Sequence, residues 1–380
     1  MLLAKVPFLS AAKSSTPAAL FGRIAETLAI AVAGGLTLGL LGVPAGWLSG
    51  SILAVAGASL LGRPMQIPTL LMRAIFVLIG ISLGAVVTPN ALHGVAAYPL
   101  SILVLTVAMS AVAVAGSFYL RFVHGWDKTS SYLAASPGAM SQAIMLASEL
   151  GADLRAVAIV QTMRVVIVAV GLPSGMALLG LVRASGRTSV GGPFVLSQLG
   201  ELTVLIVVSS IAAMIVHRVR FPGGLLFGAM LMSGVLHGSG MIHAVMPWWA
   251  ANAAQIALGA VTGARFANTP VRLLARFLAA AFGSFAVAVA VAGVFAAALA
   301  ETQSVHLAEV MISFAPGSVD AMMLLALALN LDPVYVGAHH LARILFVSLG
   351  LPLFVRHGLR RQEVFVDEEK LPIEETRIEE

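Results

Sequence analysis

Two arginines stand where arginine is costly. Arg164 lies inside the run AVAIVQTMRVVIVAV and Arg343 inside VYVGAHHLARILFVSLG, each eleven residues after an aspartate, Asp153 and Asp332. A helix opened by the aspartate would carry the arginine about 16 Å along its axis, close to the centre of a bilayer core ~30 Å thick. A charge at that depth costs at least ~2.5 kcal/mol, so the side chain must face protein or water. Three uses fit such a guanidinium. It can clamp an anionic or carboxylate-bearing solute, close a structural ion pair, or bond backbone carbonyls released by a broken helix.

A break is present beside each one. Pro137-Gly138 and Pro316-Gly317 interrupt apolar runs ahead of the two aspartates. Proline removes a donor and clashes with the preceding turn, so amides and carbonyls are freed at that point. Ser136, Ser141, Gln142, Ser313 and Ser318 flank the breaks with uncharged hydrogen-bonding groups, which a bare kink does not need. Helix N-termini facing each other across two such breaks would turn positive dipole ends toward an anion. Asp320 follows Gly317 by three residues where the first break has Ser141, either as an ion-coupling carboxylate or as the partner of an arginine. His340 and Gln161 hold matching places one turn before Arg343 and Arg164, with His339 adjacent. Proton relay, solute contact or simple packing are open to the histidines. Asp153 and Asp332 read as N-caps, the second reinforced by Pro333.

The elements that must position these residues come in duplicate. Ala135–Pro173 aligns without a gap on the stretch 179 residues later, placing Pro137 on Pro316, Asp153 on Asp332, Arg164 on Arg343 and Pro173 on Pro352. Upstream, VPAGWLSG (Val43–Gly50) matches FPGGLLFG (Phe221–Gly228), and Gly80-x-x-x-Gly84 matches Gly259-x-x-x-Gly263. Spaced small residues of this kind let helix backbones approach closely in lipid.

The chain therefore divides into a cytosolic lead (1–20), a first membrane repeat (21–190), a second (191–358) and an acidic cytosolic tail (359–380). Spans are expected near Thr27–Leu41, Pro44–Leu61, Ala74–Val87, Pro99–Leu120 and Asp153–Val182, with the same order in the second half. If each Pro-Gly segment enters and leaves on one side, Arg63, Arg73, Arg121, Lys128, Arg218, Arg220, Arg265–Arg276 and Arg356–Arg361 collect inside, and only Arg183 and Arg187 fall outside. Each half then has five spans, and the halves are inverted repeats, a geometry of secondary transporters. A fully spanning Pro-Gly segment is the competing arrangement.

Composition agrees with the membrane reading. Charged residues make up 10% and apolar ones 59%, against roughly 25% and 45–50% in soluble domains. Thr27–Gly62, Ala74–Leu120 and Phe221–Ala264 carry no charge at all. The fold class is an all-α polytopic membrane protein with about ten transmembrane helices. There is no Cys, which removes thiolate metal sites and cysteine nucleophiles. The net charge of +5 is spread in ones and twos at the ends of apolar runs, so no nucleic-acid surface is expected.

At VPAGWLSG/FPGGLLFG, SPGAMSQA/APGSVDAM and the two Asp-(x)10-Arg helices, the chain resembles the AbrB family of bacterial membrane proteins, over about residues 19–356. The resemblance implies an inner-membrane protein with a duplicated membrane region, linked to regulation of gene expression; some members carry an ammonia monooxygenase label. The soluble DNA-binding regulator of the same name is a different fold. A monooxygenase needs a redox metal or organic cofactor, and no spaced His/carboxylate set is visible to hold one. The expectation is a non-enzymatic transporter without metal or cofactor, taking a small anionic solute within the lipid bilayer, with homo-oligomers open. Its rival is a membrane regulator or scaffold that works through contacts.

Overall fold

The computed structural model describes residues 17–85, 98–137, 140–182, 192–193, 195–219, 221, 223–267, 269–302 and 305–347. Residues 1–16 of the lead and the acidic tail lie outside them, and residues 17–20 open the first helix. Fourteen helices follow one another among the described residues. The first seven are α1 (Pro17–Leu40), α2 (Gly46–Leu60), α3 (Thr69–Gly84), α4 (Tyr98–His124), α5 (Lys128–Ala135), α6 (Met140–Glu149) and α7 (Leu154–Leu178). The next seven are α8 (Leu199–Arg218), α9 (Gly224–Gly238), α10 (Trp248–Gly263), α11 (Val271–Thr302), α12 (Leu307–Phe314), α13 (Val319–Ala328) and α14 (333–347). Each element of the first set has its counterpart in the second, as the duplicated motifs require.

Among the described residues, five stretches are long and apolar enough to cross a membrane: Ala18–Leu40, Tyr98–His124, Leu154–Leu178, Leu196–Arg218 and Val271–Thr302. Several helices begin before the uncharged windows do. α1 takes in Arg23 and Glu26, and α3 takes in Arg73. A helix satisfies its own backbone wherever its ends lie, so it continues past the last apolar residue. Glu26 and Arg63 close an exposed ion pair at 2.9 Å between α1 and the α2–α3 connection.

The glycine pairs seen in the sequence are where helices touch. α3 packs on α9 and α10 packs on α2, so each repeat lends its third helix to the other. A methyl group at Gly80 or Gly84 would stand 2.4 Å from the Leu226 or Met230 carbonyl oxygen, and one at Gly263 2.8 Å from that of Ile52. α1 and α2 cross at Gly34 and Gly50, while α9 crosses α8 at Gly224 and Gly228. α4 and its counterpart α11 pack against each other, and α11 also meets α7.

The turn before α2 shows a difference between the copies. Ala45 holds a left-handed backbone (φ 51°), and its equivalent, Gly223, has φ 69°. A Cβ in that region costs roughly 1–2 kcal/mol, partly offset by the flexibility a glycine adds to the unfolded chain. Ala45→Gly should therefore stabilise the protein by about 1 kcal/mol, read as a higher melting temperature in detergent.

Candidate functional site

Each Pro-Gly segment is a hairpin of two short helices whose ends are tied together. In the first, Asp127 caps α5 by accepting from the Ser130 amide at 2.8 Å. Ser130 Oγ then accepts the amide of Asp153, the residue that opens α7, at 2.8 Å. In the second, Glu309 Oε1 accepts the amide of Asp332 at 3.2 Å, and these two residues lie at the equivalent positions. The chain thus leaves along α5, turns at Pro137, returns along α6 and starts α7 at the level where α5 began. The arms, 8 and 10 residues in each copy, are about 12 and 15 Å long, half a bilayer core. Asp153 caps α7 through the amides of Arg155 and Ala156, both at 3.0 Å. Asp332 caps α14 through those of Val334 and Tyr335 at 2.8 and 3.4 Å. The capping roles read from sequence hold.

The arginines reach the tips. Arg164 (5% exposed) donates from Nη1 to the Ala135 carbonyl at 3.2 Å and from Nη2 to that of Ser136 at 2.9 Å. Arg343 (1% exposed) donates from Nη1 to the Ala315 carbonyl at 2.5 Å and from Nη2 to that of Gly317 at 2.8 Å. Arg164 thus binds the C-terminal end of the first hairpin helix, and Arg343 bridges the end of α12 at Ala315 and the break at Gly317; the last carbonyls of a helix have no intrahelical partner and carry the negative end of its dipole. Of the three uses open to these side chains, the third is the one formed. The two guanidinium groups are also within electrostatic reach of each other. Neither has a carboxylate partner among the described residues, and the Nε of each is buried without a hydrogen bond.

The copies then diverge. Gln161 completes the first tip: its Nε2 donates to the carbonyls of Leu133 (2.9 Å) and Ser136 (3.0 Å), and its Oε1 accepts from Arg164 Nη2. His340, in the same place at the second tip, is fully buried; the Ile312 carbonyl lies beside it, but among the described residues neither ring nitrogen makes a well-directed hydrogen bond. His339 is satisfied instead. Its Nδ1 donates to the Tyr335 carbonyl at 2.7 Å, its Nε2 pairs with the Ser101 hydroxyl at 2.7 Å, and the rings of Tyr98, Tyr335 and Phe314 surround it.

The remaining expected residues sort as follows. Ser136, Pro137, Pro316 and Gly317 are buried at the tips, and Ser318 precedes α13 without capping it by its side chain. Ser313, also buried, bonds the Glu309 carbonyl at 2.8 Å and so braces α12. Gly138 lies outside the described residues, as do the side chains of Ser141, Gln142 and Asp320, although Asp320 itself falls in the first turn of α13.

Sequence reasoning missed three features. The Ser130 and Glu309 latches could have been found, since each precedes its aspartate by 23 residues. The aromatic surround of His339 involves residues far apart in the chain and left no local signal. A cavity of about 290 Å³ lies between α7, α11 and the second tip, lined by Phe285, Met311, Phe314, Ala315 and Pro316 and opened by Gly171, Gly175 and Gly293. Pro173, inside α7, releases the Ala169 carbonyl at the cavity's level, and Ser49 Oγ approaches it at 3.5 Å.

Comparison with known proteins gives this architecture a family. Residues 47–358 match the family described as transition state regulatory protein AbrB. The chain belongs to the AbrB family. Among curated relatives, the uncharacterized protein YhjN of Bacillus subtilis (strain 168) is 25% identical over 362 residues, covering 88% of this chain and 94% of its own length. A protein of Escherichia coli (strain K12), provisionally named regulator AbrB, is 26% identical over 326 residues, covering 84% of this chain and 92% of its own. Both therefore align with most of this chain, and the sequence resemblance to the AbrB family is confirmed.

Proposed function

We propose that this AbrB-family protein is a secondary transporter of the inner membrane that moves a small anionic solute by alternating access. The observation that carries the reading is the pair of latched hairpins, each turning at about half a bilayer's depth with a buried arginine at its tip. With α1–α4 and α7 as spans, each half crosses five times, so the halves are inverted and ten spans result. Hairpin tips of this kind put irregular backbone at the midplane only where it borders a cavity. The first turn of α13, without a side-chain cap at Ser318, and the equivalent turn of α6 offer amides to an anion. The two buried guanidinium groups add to the positive field.

The test is uptake of radiolabelled small acids into proteoliposomes. Saturable uptake is expected from the wild type, with a loss of tenfold or more in Arg343→Lys, which keeps the charge but cannot bridge two carbonyls. Absence of any flux from well-folded protein, over a broad panel of acids, would discard the reading.

A second reading is favoured by the names of the family and of the E. coli relative: a membrane protein acting in gene regulation through contacts. Under it, truncating the acidic tail at 359 changes the regulatory phenotype, whereas variants at the tips leave that phenotype intact.

A further inference from the structure

The cavity beside the second tip is built for hydrocarbon, not for an anion. Every residue that lines it is apolar, and no charged, hydroxyl or amide side chain reaches it. Two helices long and apolar enough to cross a membrane set its shape. On α7 the lining runs from Val168 to Leu179, and on α11 from Phe285 to Ala296. Both use positions i, i+4, i+7, i+8 and i+11, a single face of each helix. Eleven residues of helix are about 16 Å long. Val168 stands just past the middle of α7, and Leu179 caps its end. The trough therefore matches half of a bilayer core ~30 Å thick, the leaflet in which α7 ends.

The rim of the trough is exposed. Gly171 and Leu179 lie on it, and Leu178 and Val294 beside them are 89% and 69% exposed. On a membrane span, exposed apolar surface of this kind meets acyl chains, which are as apolar as leucine. The back wall is the second hairpin, through Met311, Phe314, Ala315 and Pro316.

Glycine makes the open volume. A methyl group built on Gly171, Gly175 or Gly293 meets nothing within 4 Å. One built on Gly34, Gly50, Gly80 or Gly84 would stand 2.4 Å or less from a backbone oxygen. The second set brings helices together, whereas the first leaves space, although helix interiors disfavour glycine relative to alanine. The size of that space selects its occupant. About 290 Å³ spread over about 16 Å leaves a mean cross-section of about 18 Å². A helix ~10–12 Å across with its side chains needs roughly 80–110 Å². The trough is too narrow for a helix of a second copy and wide enough for one hydrocarbon chain.

We infer that an acyl chain of a membrane phospholipid lies in this trough, along α7 and α11 and against the wall formed by Phe314, Ala315 and Pro316. A lipid tail then completes the packing of the second hairpin. The inference rests on α7 and α11 being membrane spans and is independent of the transport reading.

The test is photo-cross-linking of the full chain in nanodiscs of phosphatidylcholine that carries a diazirine at the end of one tail. Peptide mass spectrometry is expected to find the label on residues 168–179 and 311–316. Gly175→Leu and Gly293→Leu fill the trough from its two helices, and both side chains enter open space, so both variants are expected to fold. Each should cut labelling of these segments at least tenfold and leave unchanged the labelling of the exposed face of α8 at Val204, Val207 and Ile211. Trough labelling that survives in both variants, or that never exceeds labelling of the α8 face, overturns the inference. Loss of the label to a trace of free palmitate overturns it too, since the site then takes a fatty acid. So does a cross-link that joins the lining segments of two copies of the chain in place of lipid.

Discussion

Arg343→Ala is expected to destabilise the folded protein by about 3 kcal/mol or more, while Arg164→Ala costs distinctly less. Two effects oppose each other. Deleting a buried guanidinium removes a charge that was expensive to desolvate. It also strips the Gly317 carbonyl of the donor that bonds it at 2.8 Å and leaves the Ala315 carbonyl, held by Arg343 at 2.5 Å, with the Gly317 amide alone. Charge-assisted bonds contribute roughly 1.5–3 kcal/mol each, and alanine leaves a cavity at a fully buried site besides. The second effect therefore dominates at Arg343. At the first tip it does not, because Gln161 Nε2 still donates to Ser136 at 3.0 Å after Arg164 is gone. Thermal unfolding of the purified variants should rank Arg343→Ala well below Arg164→Ala. The double variant Gln161→Ala/Arg164→Ala should fall to the level of Arg343→Ala. Equal losses from the two single variants would show that the guanidinium groups do not act as caps.

This result bears on how function is tested. From the sequence, replacing either arginine should stop flux without loss of folded protein if the chain is a transporter. The structure places both η nitrogens of each arginine on backbone carbonyls, so an alanine variant confounds folding with transport. Arg343→Lys separates them better, by retaining charge.

Much of the arrangement was legible because motifs recur along the sequence. Single features such as Pro137-Gly138 or Gly80-x-x-x-Gly84 are weak alone, and their shared register across 178–179 residues made them strong. The aspartate caps were readable from local chemistry, since Asp before a helix start with Pro333 behind it has few other uses. Which partner each arginine takes was not readable. A guanidinium satisfies an anion, an acid or a carbonyl equally well in sequence, and the choice depends on how close the hairpin's carbonyls come. The cavity was hidden for a similar reason. Gly171, Gly175 and Gly293 look like the packing glycines elsewhere in the chain, and only coordinates distinguish a glycine against a backbone from a glycine against empty space.

That distinction gives the second large effect. Gly50→Leu is expected to destabilise by about 3 kcal/mol or more or to prevent accumulation of folded protein, whereas Gly175→Leu should be neutral or mildly stabilising. Both substitutions replace a helical glycine with a residue of better helix propensity, a gain of about 1 kcal/mol in isolation. At Gly50, however, a Cβ would lie 2.1 Å from the Gly34 carbonyl oxygen, and at Gly34 one would lie 2.4 Å from that of Gly50. The obstruction is backbone on both sides, so no rotamer change relieves it. Relief requires α1 and α2 to separate. Trp47, which packs where a Cβ of Gly39 would come within 2.7 Å, would be displaced with them. In lipid the separated surfaces gain no hydrophobic compensation from water, so the lost close packing is not recovered elsewhere. Size-exclusion profiles and melting curves of Gly50→Leu, Gly50→Ala and Gly175→Leu measure the contrast, with Gly50→Ala falling between the other two. Wild-type behaviour of Gly50→Leu would mean that α1 and α2 do not cross at these glycines, and the helix pairing that frames the hairpins would have to be redrawn.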